Sequence, residues 1–479
     1  RVQMPEAARN VVSQTVARDL CVGCGVCAGV CPQDNLRVGW NTWGEYEPAD
    51  SGRCRTGCDL CLAVCPFQDH EENEDVIAGR LFGNQPEIEH DGQLGYFIGS
   101  WVGHVERGDY RSAGASGGVA TWFLEKLLRS NMVDRVICVT PTPHSDQLFR
   151  FACFEDSEGV RRSSKSAYYP IEMSEVLREV LRTGARYACI GLPCFIKALR
   201  LAEQRVPRIG KRIILHAGLV CGQLKTRHFA EILARRAGLN AQSLNFVSFR
   251  EKTLGGPASE LVFAAADGQE TARLAWSRGY GECWTTGQLK IRACCFCDDI
   301  FAELADVVFM DAWLPEFVGD GRGTSIVTAR SALAASILED GLRSGDLAMR
   351  PINAAEVLAS QADVVYEKRC ALAWRLWLAD QLGQPRPKKR VSACKPDPLR
   401  LRLLQLQETI RVASREAAAA QQAMSPTGLD FYDKVMGSHL RRLRNLTLLL
   451  KWAARASRIT RAVRKALSQL LKPVSGKTD

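Results

Sequence analysis

Two cysteine runs within the first 70 residues constrain this chain more than any other feature. Cys21, Cys24, Cys27 and Cys31 precede Pro32 in the pattern C-x2-C-x2-C-x3-C-P, and Cys54, Cys58, Cys61 and Cys65 precede Pro66 with one extra residue in the first gap. Three thiolates on one tight loop reach three corners of a 4Fe-4S cubane, and Gly23 and Gly25 let the backbone wrap close to the sulfurs. The fourth cysteine of each run, carried off by the turn before its proline, ligates the other cluster. This logic predicts Cys21, Cys24, Cys27 and Cys65 around one centre and Cys54, Cys58, Cys61 and Cys31 around the other. A pair of zinc sites is the alternative, because paired C-x2-C also suits tetrahedral zinc.

The spacing is that of bacterial two-cluster ferredoxins, so residues 1–70 are expected to form a two-cluster 4Fe-4S domain. Between the runs, Leu36 to Tyr46 alternates around an Asn and Gly turn and predicts a short hairpin. Residues 71–92 are acidic and rich in turn formers, the composition of a linker. From 93 to 384, strand-like runs alternate with helical ones: a helix over Val119 to Leu128, strands at Arg135 to Val139, Tyr187 to Ile190 and Arg212 to Val220, and helices over Ser174 to Leu181, Phe195 to Glu203 and Thr226 to Ala237. That alternation predicts an α/β domain with a mixed sheet and crossover helices. Pro385 to Arg390 breaks the pattern, and residues 385–479 form a basic helical tail, with helices over Leu399 to Gln422 and Asp430 to Leu471.

The chain has nineteen cysteines in 479 residues, and Arg1 to Glu6 shows no apolar leader. Metal ligation in a reducing, cytoplasmic setting is therefore expected rather than a disulfide framework. An apolar share of 46% and a charged share of 24% exclude a disordered or multi-spanning membrane chain.

In the middle region Cys194 follows a strand through Gly191-Leu192-Pro193, and Cys221 follows the strand Arg212 to Val220 directly. Carboxyl ends of strands are where open α/β sheets place ligands. Cys294 and Cys297 add a C-x2-C pair, so these four thiolates either converge on a third cluster or are buried core cysteines, with Cys295 able to replace a neighbour. Cys138, Cys153 and Cys189 fall in apolar runs and read as core, while Cys283, Cys370 and Cys394 have no assignable role.

Gly114-Ala115-Ser116-Gly117-Gly118 opens onto an apolar helix, where Ser116 could cap and the free N–H groups could cradle a phosphate. A tight packing turn is the alternative; neither the dinucleotide fingerprint nor a Walker loop is present. Lys165 and Tyr168 could contact phosphates or a ring, Arg250 and Lys252 end an extended stretch, and Asp311 ends the run Ala305 to Met310. No histidine has metal-ligand spacing.

Residues about 20 to 370 resemble the beta subunits of coenzyme F-420-reducing hydrogenases and dehydrogenases, iron-sulfur flavoproteins whose wider family includes 7-hydroxymethyl chlorophyll reductase and ferredoxin-type divinyl chlorophyllide reductase. The tandem cysteine runs, Gly114 to Val119, Gly191 to Cys194, Gly218 to Gly222, Phe249 to Lys252, Cys294 to Asp299 and Ala305 to Trp313 carry the resemblance, in order. It implies FAD near Ser116, Gly117 and Gly118, with Lys165, Tyr168, Arg250 and Lys252 as further candidate contacts. It also implies a third 4Fe-4S cluster on Cys194, Cys221, Cys294 and Cys297, with Asp311 and Lys165 as candidate catalytic residues. Phe195 and the Ala312-Trp313 pair depart from the family pattern. The function implied is an oxidoreductase exchanging electrons among a ferredoxin or another redox protein, the clusters, FAD and a two-electron substrate, such as coenzyme F-420 or an organic metabolite. The alternative is a relay subunit of a larger redox complex without a substrate of its own.

Residues 395–479 hold 17 Lys or Arg against 6 Asp or Glu, a balance of +11 that leaves the preceding chain near −1 out of the total +10. Leu440, Leu443, Leu446, Leu450, Ala453 and Ala454 share one helical face. Arg441, Arg442, Arg444, Lys451, Arg455, Arg458, Arg461, Arg464 and Lys465 fill the rest. Such a helix suits an anionic membrane surface or a partner subunit, or packs on the body as an appendage. Nucleic acid is disfavoured because Trp452 is the lone aromatic between His439 and Leu471.

Overall fold

The computed structural model describes residues 9–55, 57–253, 255–424 and 427–470. The side chains of Ala454, Arg458, Arg461, Arg464 and Lys465, and Leu471 altogether, lie outside the described residues.

The N-terminal module is built on the hairpin Leu36–Trp40 and Tyr46–Asp50, paired antiparallel with Trp40 opposite Tyr46. Their rings stack at 3.8 Å. Each cysteine run closes with a one-turn helix, Val26–Gly29 and Leu60–Ala63.

The α/β domain is an eight-stranded mixed sheet. Its order is Leu347–Ile352, Gly99–Val105, Ser325–Ala329, Val307–Asp311, Ile213–Leu219, Tyr187–Gly191, Arg135–His144 and Gln147–Phe154. The four strands from Val307–Asp311 through Arg135–His144 run parallel, and the flanking strands are antiparallel. Side chains alternate across the sheet, as the period of two requires. Val307 and Phe309 join a core with Phe123 and Leu127 on one face, whereas Val308 and Met310 join Ile77, Phe82 and Phe301 on the other. A second sheet, Phe246–Glu251, Val262–Ala266 and Thr271–Ala275, is an antiparallel meander.

Residues 71–92 do not run as a bare linker. Glu74–Phe82 is a helix capped by Asn73, with Glu74 and Asp75 in its first turn, where acidic side chains favour the dipole. Ile77, Ala78 and Phe82 are buried in the sheet's second core, so a helical apolar stripe lay within the acidic composition.

The tail packs on the body for much of its length. Helices Pro398–Met424 and Asp430–Leu470 bury Ile410, Ala418, Tyr432 and Met436 in the same cluster that holds Cys24, Cys27, Phe195 and Phe229. Burying a side chain the size of Ile410 or Met436 contributes about 1.5–3 kcal/mol. The segment Pro385 to Arg390 also enters the body. Lys389 meets Asp298 at 3.0 Å, and Arg390 meets Glu303 at 2.7 Å and Asp75 at 2.6 Å.

Candidate functional site

Cys27 lies within electrostatic reach of Cys24, Cys21, Cys65 and Cys61, and Cys61 within reach of Cys54, Cys58 and Cys31. Burial pushes the Cys24 thiol up to about 12 and the Cys61 thiol up to about 11, with neighbouring thiols adding to it. Unligated, such thiols stay protonated at neutral pH; iron must displace those protons, which suits a buried cluster set. Backbone N–H groups already point at sulfur, Gly23 to Cys21 at 3.3 Å and Asn35 to Cys31 at 3.4 Å. Gly25, at φ +76°, packs so closely that a Cβ would meet the backbone N of Met173 at 3.1 Å. The cluster loop is thereby seated on the helix Ser174–Arg182. Among the described residues no three or more His, Cys, Asp or Glu side chains are placed so as to hold a metal ion.

The middle cysteines are brought together from three elements. Cys194 sits in the first turn of the helix Pro193–Arg205, Cys221 lies two residues beyond the strand Ile213–Leu219, and Cys294 and Cys297 flank the end of the short turn Arg292–Phe296. Burial drives the Cys194 thiol far above the usual range, reinforced by Cys297, Cys221 and Cys294 and then by Cys24 of the N-terminal module. The Leu224 N–H donates to the Cys294 sulfur at 3.2 Å. Lys368, 3% exposed, adjoins Cys297, Cys221 and Cys294 and donates to the Asp299 carbonyl at 3.2 Å. No sequence pattern marks Lys368 for this place. Cys138 and Cys189 are buried core, as their apolar runs suggest, whereas Cys370 and Cys394 are exposed.

A cavity of about 1080 Å³ reaches Cys221 and is lined also by Ser116, Gly118, Lys165, Tyr168, Arg250 and Asp311 among others. Ligand pockets commonly span about 300–1,000 Å³, so there is room for a dinucleotide. The helix Val119–Arg129 starts at Gly118, φ +82°, without a side-chain cap, and its first residues line the cavity. Uncapped first-turn N–H groups suit a phosphate. Ser116 does not cap that helix: its hydroxyl donates to the Thr324 carbonyl at 2.7 Å, because the left-handed Gly118 moves the helix start out of its reach. Gly117 is turned toward Gly103 and Ser325.

The charged candidates are mutually engaged. Arg250 forks onto Asp311 at 2.6 and 3.0 Å, leaving its buried Nε without a partner. Lys165 pairs with Glu251 at 2.5 Å. Lys252 is outside the cavity lining and donates to the carbonyls of Arg322 at 2.6 Å, Ser116 at 2.8 Å and Arg111, which staples the glycine turn. Burial and the nearby Arg111 and Arg250 lower its pKa to about 8. Tyr168 packs against Trp284 at 4.5 Å and Phe249 at 5.6 Å.

Family models match the chain in three contiguous stretches: a 4Fe-4S dicluster domain over 20–68, then the N-terminal and C-terminal parts of the coenzyme F-420 hydrogenase/dehydrogenase beta subunit over 100–178 and 184–355. The chain belongs to the family of coenzyme F-420 hydrogenase/dehydrogenase beta subunits. Hydrogenases and dehydrogenases are oxidoreductases, so family membership places the chain in electron-transfer chemistry, with a 4Fe-4S dicluster domain at its N-terminus. It is 24% identical over 218 residues to an F(420)H(2) dehydrogenase component of Methanosarcina mazei, a match covering 44% of this chain and 55% of that relative. The chain thus spans about half the length of the curated relative it matches. It is also similar to a chain of the F-420-reducing NiFe hydrogenase complex from Methanosarcina barkeri, with 17% identity and a TM-score of 0.46, over 58% of this chain and 92% of that one. The cavity departs from the family segment in one respect. Arg375, Leu404, Glu408 and Arg411 line it from helices Ala362–Gln381 and Pro398–Met424, beyond the matched residues. Nothing in the local sequence of these helices marks them for the site.

Proposed function

We propose that this chain is an iron-sulfur flavoprotein oxidoreductase. Electrons pass between a ferredoxin or similar redox protein and FAD by way of three 4Fe-4S clusters, and FAD serves a two-electron substrate, a deazaflavin coenzyme or an organic metabolite. The observation that carries this reading is continuity from surface to cavity. The half-buried Cys54 and Cys58 group leads to the buried Cys24 group, Cys24 neighbours Cys194, and Cys221 lies on the cavity wall. Bound flavin supplies the exchange between one-electron and two-electron steps. The chain's own residues hold and orient: Gly118 exposes a helix N-terminus, Lys252 fixes the glycine turn, and Arg250 with Asp311 stiffens the wall. Anaerobic purification with iron, sulfide and flavin analysis tests the reading. About twelve irons, four for each cluster, and one FAD per chain support it; eight or fewer irons, or absent flavin, overturn it.

A second feature supports peripheral contact with an anionic membrane surface. Leu448, Leu449 and Trp452 are exposed on the helix Asp430–Leu470 beside Arg441, Arg442, Arg444 and Lys451. No helix among the described residues is long and apolar enough to cross a membrane.

A further inference from the structure

We infer that the part of the cavity walled by Arg292, Cys295, Arg375 and Arg411 binds the carboxylate of a small organic acid. The inference rests on the cavity being the site of two-electron chemistry and names its substrate class. All four residues line the cavity, and each guanidinium lies within electrostatic reach of the Cys295 thiol. Two of the arginines are held in place. Arg292 donates to the carbonyls of Arg18 at 2.9 Å and Pro385 at 3.1 Å, and Arg375 pairs with Glu367.

Arg411 is the one left incomplete. Its side chain is 4% exposed, and its Nε and Nη2 fork onto Glu408 at 2.9 and 2.7 Å, while Nη1 is buried with no partner. A guanidinium donor left without a partner at the edge of a cavity calls for an acceptor, and a planar carboxylate matches its geometry. On this wall three arginines and Lys290 stand against Asp363, Glu367 and Glu408, a slight positive excess that favours an anion. Phe296, Leu378 and Leu404 supply apolar wall beside them. That combination fits an organic body with one anionic end better than inorganic phosphate. Arg375, Leu378, Leu404 and Arg411 come from beyond residue 355, where the family match stops.

Cys295 reports occupancy. Full-length, anaerobically purified protein is alkylated with iodoacetate or iodoacetamide, with and without benzoate as the carboxylate probe. Labelling is quantified by peptide mass spectrometry, with the exposed Cys370 and Cys394 as internal references. Relative to those references, Cys295 is expected to prefer the anionic reagent. Benzoate should slow its labelling roughly tenfold, the scale of one charge-assisted hydrogen bond, whereas benzyl alcohol and inorganic phosphate should not. Arg411→Met should remove both effects, and Arg411→Lys should restore part of the protection. Unchanged labelling of Cys370 and unchanged cluster absorbance verify the variant's fold; Arg375→Gln, expected to weaken protection, is the second variant if Arg411→Met misfolds. Equal reagent ratios at Cys295 and Cys370, equal protection by benzyl alcohol or phosphate, protection that survives a well-folded Arg411→Met, or a Cys295 that takes up neither reagent overturns the inference. Flavin measured in the same sample separates the two claims: absent flavin with intact protection defeats the flavin reading and leaves the acid site standing.

Discussion

Lys389 and Asp298 form an ion pair at 3.0 Å with both side chains shut away from solvent, 6% and 1% exposed. The carboxylate belongs to the residue after Cys297, and the ammonium to a segment whose prolines and charges read as a boundary. Arg390 extends the contact to Glu303 and Asp75, so one short strap ties the tail, the α/β domain and the helix after the N-terminal module together.

Lys389→Met leaves Asp298 buried with less compensation. Removing one partner of a buried pair costs about 3–5 kcal/mol, and the remaining Arg390 places the expected loss at the lower end. Denaturant unfolding of the anaerobic protein measures it. Wild-type stability in the variant would contradict the strap's role.

Asp306 supplies a pH test away from the clusters. It accepts the Arg200 guanidinium at 3.1 Å and the His216 backbone N–H at 2.9 Å. Burial alone would raise its pKa, but Arg200 and His216 outweigh burial and hold it at about 2. A folded pKa below the unfolded value of about 3.9 gives stability that is present above pH ~4 and lost as pH falls toward 2, worth about 2–3 kcal/mol. Asp306→Asn should lose that amount at pH 7 and show a flatter acid limb in unfolding titrations. An acid limb identical to wild type would count against it.

Lys368 places a buried cation beside Cys297, Cys221 and Cys294. Burial opposes its charge, and the three thiols outweigh burial and keep its pKa above the ordinary lysine value. Removing a cation disfavours the more negative, reduced state. Lys368→Met should lower the reduction potential of the cluster proposed for these thiols by about 60 mV, the equivalent of tenfold for one electron; Lys368→Arg should keep most of it. EPR-monitored redox titration reads the shift, and an unchanged potential would show the charge to be screened.

The parts legible in the sequence are those written in local spacing. Cysteine intervals marked the groups around Cys24 and Cys61, and strand alternation placed Cys194, Cys221 and Asp311 at carboxyl ends of the parallel strands. What escaped depends on partners far along the chain. Lys389 and Asp298 are 91 residues apart, and nothing local says which of many surface charges will be buried together. Ser116 has the right residue type for a cap, yet the φ of Gly118 decided otherwise. Arg411 belongs to a helix that the sequence marks only as part of a basic tail, whereas its side chain is buried.

The distal helix gives a binding prediction. Full-length protein should float with anionic phospholipid vesicles and not with neutral ones, and added salt should weaken the contact, since each nearby Lys or Arg is worth about 1 kcal/mol at such a surface. Replacing Leu448, Leu449 and Trp452 together by Glu should abolish flotation. Equal recovery of the triple variant would defeat the membrane role.

The neighbours Cys24 and Cys194 mark the crossing from the N-terminal module to the cavity domain, and electron transfer through that crossing is the measurement that bears most directly on the account. Flavin reduction by dithionite-reduced ferredoxin is followed by anaerobic stopped flow in the wild type and in Cys194→Ala, at equal flavin content. Cys194→Ala is expected to keep the N-terminal clusters and the flavin but to lose flavin reduction by ferredoxin. Flavin reduced at the wild-type rate in that variant would contradict it.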